Sequence, residues 1–305
     1  MILDTGAKRL LIFFFYDKKG IVDDYIPYML SDMTKNVTDT FVVCNGLLSD
    51  EGKEKLNKFT DKVYVRDNVG FDVWAYKEAM EQFGWDKLGT YDEIILMNYT
   101  MMGPVYPFKD MFDKMDKEDV DFWGITQFYK TDEDPFGTMP EGYIPDHIQS
   151  HFIAVRKSLC NSDVFHDYWD NMPMITGYID SISRHEAKFT KYFERAGYKW
   201  KVYADAEDYR SISNQPAVGL AYEMVKEKKC PIFKRRSFMQ DYNVILNESC
   251  GQEAMLLYDY LEHDTDFDTE LMWDNLLRVE NMADLKKNFQ WNYVLSGVTS
   301  KKPGI

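Results

Sequence analysis

Short apolar segments alternate with amphipathic ones in the N-terminal part of the chain. Leu10–Tyr16, Thr40–Cys44 and Glu93–Met97 are nearly continuous apolar runs, which is typical of strands buried on both faces. Lys62–Val65 and Val120–Ile125 predict two further, shorter strands.

Helical periodicity separates these predicted strands. Residues 23–35 carry apolar side chains at helical spacing, Ser49 is placed to cap a polar helix that runs to Phe59, and Gly70 opens a third helix. Strands that alternate with helices predict right-handed βαβ crossovers and a mainly parallel sheet. We therefore expect an α/β fold, Rossmann-like in its layering, whose ligands bind at the carboxyl ends of the strands.

The pattern changes after the fifth strand. Residues 129–145 are rich in Asp, Glu, Gly and Pro and predict a surface loop, and His151–Val155 predicts one more strand. Helical patterns follow at 162–171 and 184–196, and Trp200–Tyr203 predicts an edge strand. The remainder of the chain has mostly helical patterns.

The chain is strongly acidic. Lys plus Arg number 36 and Asp plus Glu number 51, which gives a formal net charge of −15. Such a surface repels phosphate backbones, so no nucleic-acid partner is expected. Aromatic residues make up 16% of the chain, and they either thicken the core or offer stacking surfaces to sugar rings and nucleobases.

Compartment and redox state can also be predicted from the sequence. No segment reaches the roughly 18–20 apolar residues that span a bilayer, and Asp17 directly follows the longest apolar run, which disfavours a signal peptide. The cysteines are scattered without a C-x-x-C pair, so neither a disulfide framework nor a zinc knuckle is predicted. We expect a reduced, cytoplasmic protein.

Several common active-site motifs are missing. The sequence has no G-x-x-x-x-G-K-[ST], G-x-G-x-x-G or G-x-S-x-G, so P-loop, dinucleotide-binding and α/β-hydrolase enzymes are poorly supported. His147 and His151 are four residues apart, but the glutamate of H-E-x-x-H is missing and a strand follows them. A metal pair is therefore not expected there.

Residues 67–75, Asp-Asn-Val-Gly-Phe-Asp-Val-Trp-Ala, form a polar turn that leads into a helix. The free N–H groups at such a helix start suit an anion or a polar ligand. Asp72 falls in the first turn, where the helix dipole favours its charge. The same pattern also fits an ordinary loop and helix cap.

Four segments in order carry a resemblance to a known family. They are Asp67–Ala75, Asn98–Pro104, Asp121–Thr126 and His147–Phe152. Together they resemble the rhamnan synthesis protein F family of bacterial glycosyltransferases, with its N-x-G-x-D helix start, N-D-S-x-x-G-P strand end, D-F-W-G strand and H-x-Q-S-x-F strand. The likeness runs from about Leu11 to Gly197 and returns in the Pro-Ile-Phe-Lys-Arg segment that begins at residue 231.

The resemblance implies a glycosyltransferase-A fold and a nucleotide-sugar donor. Residues 1–215 would form the catalytic domain and residues 216–305 a mostly helical extension packed on it. The implied reaction transfers L-rhamnose, most simply from dTDP-L-rhamnose, to a growing cell-surface polysaccharide or a lipid-linked glycan. The protein would then work in the cytoplasm, at the inner face of the cell membrane as a peripheral protein.

The resemblance and the strand ends together suggest binding residues. The candidates for the nucleotide sugar are Tyr16, Asn45, Asn68, Gly70, Asp72, Asn98 and Thr100. His147 and Gln149 are candidates for the donor or acceptor sugar. Lys234 and Arg235 belong to the densest basic cluster and are candidates for the phosphates, although a solvated surface turn explains that cluster equally well.

The expected metal motif is absent from this sequence. Many enzymes of this fold bind a divalent cation, Mg²⁺ or Mn²⁺, through Asp-x-Asp after the fourth strand, where this chain has Asn98-Tyr99-Thr100. Amide and hydroxyl oxygens are poor ligands for hard cations without carboxylate help. The resemblance therefore leaves a cation in doubt, and we assign no metal ligand.

Glu186 is the candidate catalytic base. It lies eleven residues before Gly197, and the segment resembles the helix that follows the catalytic acidic residue in inverting enzymes of this fold, where the acid has the same spacing from a helix-ending glycine. Phe189 and Phe193 would form the buried face, with Glu186 near the helix start. A glutamate in a first helical turn is also common for dipole reasons alone.

Two alternatives to a glycosyltransferase stay open. A non-catalytic protein that binds a sugar or a partner could keep the fold after losing the metal motif. A nucleotidyltransferase that makes sugar nucleotides is less well supported, because the first strand lacks a glycine-rich loop with Lys or Arg after it.

Overall fold

A computed structural model of the chain describes residues 1–4, 6–135, 137, 139–239 and 253–279. The described strands are β1 Arg9–Tyr16, β2 Asp39–Asn45, β3 Val63–Arg66, β4 Glu93–Asn98, β5 Met101–Met102, β6 Phe122–Gly124, β7 Gln127–Phe128, β8 His147–Ile148, β9 Phe152–Arg156, β10 Trp200–Val202 and β11 Phe233–Lys234.

The described α-helices are α1 Tyr25–Met33, α2 Asp50–Asn57, α3 Phe71–Phe83, α4 Trp85–Leu88, α5 Phe108–Met115, α6 Lys157–Cys160, α7 Asp163–Asp170, α8 Tyr178–Ser181, α9 Ala187–Arg195, α10 Pro216–Gly219, α11 Ala221–Lys226, α12 Glu253–Asp264 and α13 Glu270–Val279. A π-helical turn, Ile182–Glu186, joins α8 to α9.

The main sheet has seven strands in the order β10-β6-β9-β4-β1-β2-β3. β1 pairs in parallel with β2 and β4, β2 with β3, and β6 with β10. β9 runs antiparallel to both of its neighbours, β4 and β6. The predicted fold class is therefore confirmed: this is a glycosyltransferase-A-like α/β fold with a mainly parallel sheet between helices.

The apolar runs that predicted the central strands are buried. Every residue of β4 is buried, and so is β1 up to Phe15. On one face, Phe189 and Phe193 of α9 are fully buried, with ring centroids 5.8 and 6.1 Å from that of Phe122 in β6. The central strands β1, β2 and β4 are buried on both faces, so they lack a polar face.

The helical segment that carries Glu186 begins earlier than predicted. α8, the π turn and α9 are continuous, and the Ser181 N–H donates to the Gly177 carbonyl at 3.1 Å. The prediction that Glu186 lies near a helix start is therefore wrong. Since helix precedes it, the dipole of a first turn does not account for a carboxylate there.

Contacts divide the chain into two compact units. Unit 1 comprises residues 1–22, 30–99 and 108–205, and unit 2 comprises residues 23–29, 100–107 and 206–305. Unit 1 contains the seven-stranded sheet. The domain boundary predicted between residues 215 and 216 stays a prediction.

Unit 2 is largely helical where it is described, through α10 to α13. It also contains a two-stranded sheet, in which β5 and β11 pair antiparallel. The sequence did not predict this sheet, because the pairing joins segments that are far apart in the chain. Residues 240–252 and 280–305 of the predicted helical region, with Cys250, lie outside the described residues. Within the described ranges, no helix is long and apolar enough to cross a bilayer.

Candidate functional site

The carboxyl edge of the unit 1 sheet brings three predicted site residues into line. Tyr16 at the end of β1 is in register with Asn45 at the end of β2. Asn98 ends the neighbouring strand β4 and is in register with Phe14 of β1. The ring of Tyr99, which follows β4, lies edge-on to that of Tyr16 with centroids 6.5 Å apart.

Asn45 is buried and anchors the loop after β3. Its Oδ1 accepts a hydrogen bond from the Arg66 guanidinium at 2.8 Å, and its Nδ2 donates to the Phe71 carbonyl at 3.2 Å. The same Nδ2 is 3.5 Å from Oδ1 of Asn68, which is exposed. Asn45 and Arg66 therefore fix the shape of the loop that presents Asn68.

A tight turn then leads into α3. Gly70 has a φ of 72°, and a Cβ at this position would collide with the side chain of Trp74. Only glycine avoids both the strain and the collision. Phe71 also has a positive φ, 56°, which is uncommon outside glycine, and its ring is 41% exposed. This turn delivers Asp72 to the first turn of α3.

Asp72 and Glu186 interact electrostatically at this edge. The Asn98 amide donates to Asp72 Oδ2 at 3.0 Å. Burial raises the pKa of Asp72 to about 6, and the charge of Glu186 adds to the rise while the Asn98 hydrogen bond opposes it. Tyr76, one turn further along α3, has a buried hydroxyl with no hydrogen-bond partner among the described residues.

The Glu186 carboxylate is held by Ser150. The Ser150 N–H donates to Glu186 Oε2 at 2.9 Å, and the Ser150 hydroxyl donates to the same oxygen. Oε1 lies 4.0 Å from His147 Nε2, and the glutamate side chain is 20% exposed. The two donors act on the same oxygen and therefore fix the orientation of the carboxylate.

His147 and Gln149 are both buried beside this contact. The His147 ring stacks on Phe128 with centroids 5.0 Å apart, and its Nδ1 is 2.7 Å from the Pro145 carbonyl. Gln149 Oε1 accepts from the Thr126 hydroxyl at 2.7 Å. Both residues therefore support the segment that carries Ser150, and their contact with a sugar stays a prediction.

The Asp72–Asn98 pair offers few ligands for a divalent cation. Asp72 supplies one carboxylate and Asn98 one amide, fewer than the roughly six oxygens that Mg²⁺ or Mn²⁺ requires. In the described part of the chain, no group of three or more His, Cys, Asp or Glu side chains is placed to hold a metal. Metal-independent activity stays a prediction.

Unit 2 contains the remaining predicted residues. Lys234 lies opposite Met101 in the β5–β11 pair, and the Arg235 N–H donates to the Thr100 carbonyl at 3.2 Å. The Arg235 guanidinium is 3.4 Å from the Tyr25 hydroxyl. Thr100, Lys234 and Arg235 are thus neighbours within unit 2, and their ligands stay predictions.

Sequence reasoning did not single out three residues of this region: Ser150, Arg66 and His185. Ser150 stands inside the H-x-Q-S segment, so the motif contained a signal for it. His185 is buried with Nδ1 3.0 Å from the Tyr168 hydroxyl, and burial lowers its pKa to about 4. Nothing in the sequence beside His185 distinguishes a buried histidine from an exposed one.

The sheet order and the family match below support a nucleotide-sugar glycosyltransferase-like fold. The chain belongs to the rhamnan synthesis protein F family, whose model matches residues 40–303. It is also 20% identical over 190 residues to "Uncharacterized protein y4gN" of Sinorhizobium fredii (strain NBRC 101917 / NGR234), a match that covers 62% of this chain and 46% of that protein. The match thus spans less than half of that relative.

Solved structures with partial likeness come from several transferases. A protein of Desulfovibrio desulfuricans G20 described as a nucleotide-diphospho-sugar transferase has a TM-score of 0.40 at 14% identity, covering 83% of this chain and 98% of that one. The inositol-1-phosphate CTP transferase of T. maritima has a TM-score of 0.38 at 12% identity, covering 65% and 85%. Core-mannan synthase A of Aspergillus fumigatus has a TM-score of 0.34 at 10% identity, covering 64% and 71%.

Proposed function

We propose that the protein is an inverting glycosyltransferase that transfers L-rhamnose from dTDP-L-rhamnose to a growing cell-surface polysaccharide or a lipid-linked glycan. One observation carries the proposal: Glu186, held by Ser150, interacts electrostatically with Asp72 at the carboxyl edge of the sheet. This is the edge at which ligands of parallel sheets bind. The choice of rhamnose rests on membership of the rhamnan synthesis protein F family.

Glu186 acts as the general base in this proposal. The acceptor hydroxyl oxygen attacks the anomeric carbon from the face opposite the nucleotide, and Glu186 takes the hydroxyl proton. The bond from that carbon to the diphosphate oxygen breaks, and its electron pair leaves with dTDP. The anomeric carbon passes through an oxocarbenium-like state, so a carboxylate close to it lowers the barrier.

The strand-end residues of unit 1 hold the donor in this proposal. The Asp72–Asn98 pair presents a carboxylate and an amide, which suit the hydroxyl groups of a ribose or a sugar. Asn68 is exposed on a loop that Asn45 keeps in shape. The Tyr16 ring beside Tyr99 offers an aromatic face to the thymine ring of the donor.

A lipid-linked acceptor would bring the protein to a membrane surface. The proposal therefore includes peripheral association with the inner face of the cell membrane. The nucleotide-sugar donor would reach the site from the cytoplasm.

The decisive experiment removes the base. Glu186→Gln keeps the shape of the side chain, and we expect dTDP release from dTDP-L-rhamnose to fall about 10²–10⁴-fold, with donor affinity little changed. Glu194→Gln is the matched control, because Glu194 lies on the same helix but pairs with Lys191 at the surface. This variant should keep wild-type turnover.

Other outcomes would redirect the proposal. Near-normal turnover of Glu186→Gln would overturn the assignment of the base, and Asp146 and Asp180 would be the next candidates. Release of UDP or GDP instead of dTDP in a donor screen would overturn the choice of donor. A wild-type protein that turns over none of these donors would favour the non-catalytic alternative.

A further inference from the structure

One residue supplies both of the hydrogen bonds to Glu186 Oε2 described above. The Ser150 N–H is 2.9 Å from that oxygen, and the hydroxyl donates to it as well. Because both donors act on the same oxygen, rotation of the carboxylate is restricted. Oε1 is then directed to the side of His147, whose Nε2 is 4.0 Å away.

The segment that carries Ser150 is itself tied down on two sides. The Ile148 N–H donates at 2.9 Å to the hydroxyl of Thr190, a buried residue one turn beyond the proposed base on the same helix. On the other side, the Gln149 N–H donates to the Thr126 carbonyl at 3.1 Å. The serine therefore has little freedom to follow the carboxylate if that moves.

The π turn directs Glu186 toward this segment. Such turns widen a helix by one residue and recur at functional sites. In this one, His185 is buried and bonds to Tyr168, while the next residue, Glu186, reaches Ser150. Within this turn, the His185 side chain therefore faces the core and the Glu186 side chain faces Ser150.

We propose that Ser150 is a positioning residue for Glu186. Its N–H and hydroxyl hold the carboxylate in the orientation that receives the acceptor proton. This inference rests on the proposed function, and it gives the serine of the H-x-Q-S segment a chemical role.

Among the described residues, three titratable groups interact with the Glu186 carboxylate by contact or through their charge. They are His147 from β8, Asp72 from α3, and His185 from the same helical segment. A negative charge on Asp72 disfavours a second negative charge on Glu186, and the two donors of Ser150 offset that repulsion.

Ser150→Ala tests the role by removing the hydroxyl and keeping the backbone N–H. We expect kcat for dTDP release from dTDP-L-rhamnose to fall about tenfold, the usual effect of losing one hydrogen bond to a charged group, with little change in KM for the donor. The acid limb of the pH–rate profile should move up by about one pH unit, because the carboxylate is then protonated more easily. Ser150→Thr keeps a hydroxyl, so its kcat and the acid limb of its pH–rate profile should be close to those of the wild type.

Ser158→Ala is the matched control. The Ser158 hydroxyl donates to Asp121 Oδ1 at 2.6 Å, so it too is a serine bonded to a carboxylate, but on α6. Its rate and pH profile should match the wild type. If Ser150→Ala does not fold, Ser150→Cys, which is similar in size but a weak donor, is measured for the same rate and pH shifts.

Glu186→Gln separates failure of this inference from failure of the proposed function. An inactive Glu186→Gln together with wild-type rate and pH profile in Ser150→Ala, or in Ser150→Cys where that replaces it, would overturn the positioning role and leave the proposed function intact. An active Glu186→Gln would overturn the assignment of the base and, with it, the positioning role of Ser150.

Discussion

The two ends of the unit 1 sheet each contain a carboxylate, Glu93 at one end and Asp72 at the other, and in the described part of the chain only Glu93 is paired with arginine. At the amino ends of β1 and β4, Glu93 is fully buried, and Arg9 Nε donates to its Oε1 at 3.0 Å. Its Oε2 accepts from Arg156 Nε at 3.2 Å and from the Trp123 indole at 2.7 Å. Each oxygen of Glu93 thus has a cationic donor.

At the carboxyl ends the pattern is different. Asp72 accepts from the neutral amide of Asn98, and among the described residues it pairs with no Lys or Arg. Its nearest charged influence is a second carboxylate, Glu186, and burial raises its pKa to about 6. A carboxylate such as Asp72, whose charged form is disfavoured in the folded protein, reduces stability and is a candidate for contact with a ligand that completes the charge balance.

We therefore expect the arginine-paired end, which we call the compensated end, to serve stability and the other end to serve the proposed function. Removing a partner from the compensated end should cost folding free energy. Removing the charge of Asp72 from the other end, which we call the uncompensated end, should cost activity and increase stability.

Glu93→Gln is expected to have the largest effect on stability. It keeps the size of the side chain but leaves Arg9 and Arg156 without their shared anion, and breaking a buried ion pair costs about 3–5 kcal/mol. Urea unfolding of the purified variant measures the loss. Glu194→Gln serves as the control, since its surface pair is worth at most about 1 kcal/mol. A loss in Glu93→Gln no larger than that of the control would break the comparison.

Asp72→Asn should change stability in the opposite direction. The pKa of Asp72 is about 6 in the folded state against an ordinary value of 3.8, so the folded protein prefers the protonated form. Wild-type stability should therefore fall as pH rises from about 4 to about 6, and stay lowered above that. At pH 7.5 the variant should be more stable by about 1–3 kcal/mol, while dTDP raises its melting temperature less than that of the wild type.

Asp180→Asn is the comparison variant, because the pH dependence of stability expected for Asp180 is opposite in sign to that expected for Asp72. Hydrogen bonds from Thr176 and Arg184 lower the pKa of Asp180 to about 2. The stability that this carboxylate contributes should be present above pH 4 and be lost as pH falls through about 2. An Asp72→Asn protein whose unfolding free energy depends on pH as the wild type does would contradict the assignment.

Much of the uncompensated end could be predicted from the sequence. Strand ends follow from apolar runs, so Tyr16, Asn45 and Asn98 could be assigned to one edge before the structure was known. Gly70 and Asp72 could be placed at a helix start by the turn pattern. These predictions need only local patterns and the general rule that parallel strands share a carboxyl edge.

The compensated end and the Ser150 contact could not be predicted in this way. Arg9, Glu93 and Arg156 each stand at the boundary of an apolar strand, and their pairing depends on which strands are neighbours in the sheet. β9 reverses direction, which brings Arg156 to the end where Glu93 begins β4. Similarly, the hydrogen bond from Ser150 to Glu186 joins residues 36 positions apart. The π turn that contains Glu186 could not be predicted from local patterns in the sequence either.

Chelation should have the smallest effect of all. At the strand ends Asn98 stands where many enzymes of this fold have an aspartate, and Asp72 is the carboxylate bonded to it. One carboxylate and one amide bind a hard cation weakly, so treatment with EDTA should leave at least part of the turnover of dTDP-L-rhamnose. The melting temperature without donor should also be unchanged by EDTA or by added Mn²⁺, because a cation that bound the folded protein tightly would raise it. If EDTA abolishes turnover and Mg²⁺ or Mn²⁺ restores it, a cation balances the charges of Asp72 and Glu186, and the carboxyl end is compensated by metal as the amino end is by arginine.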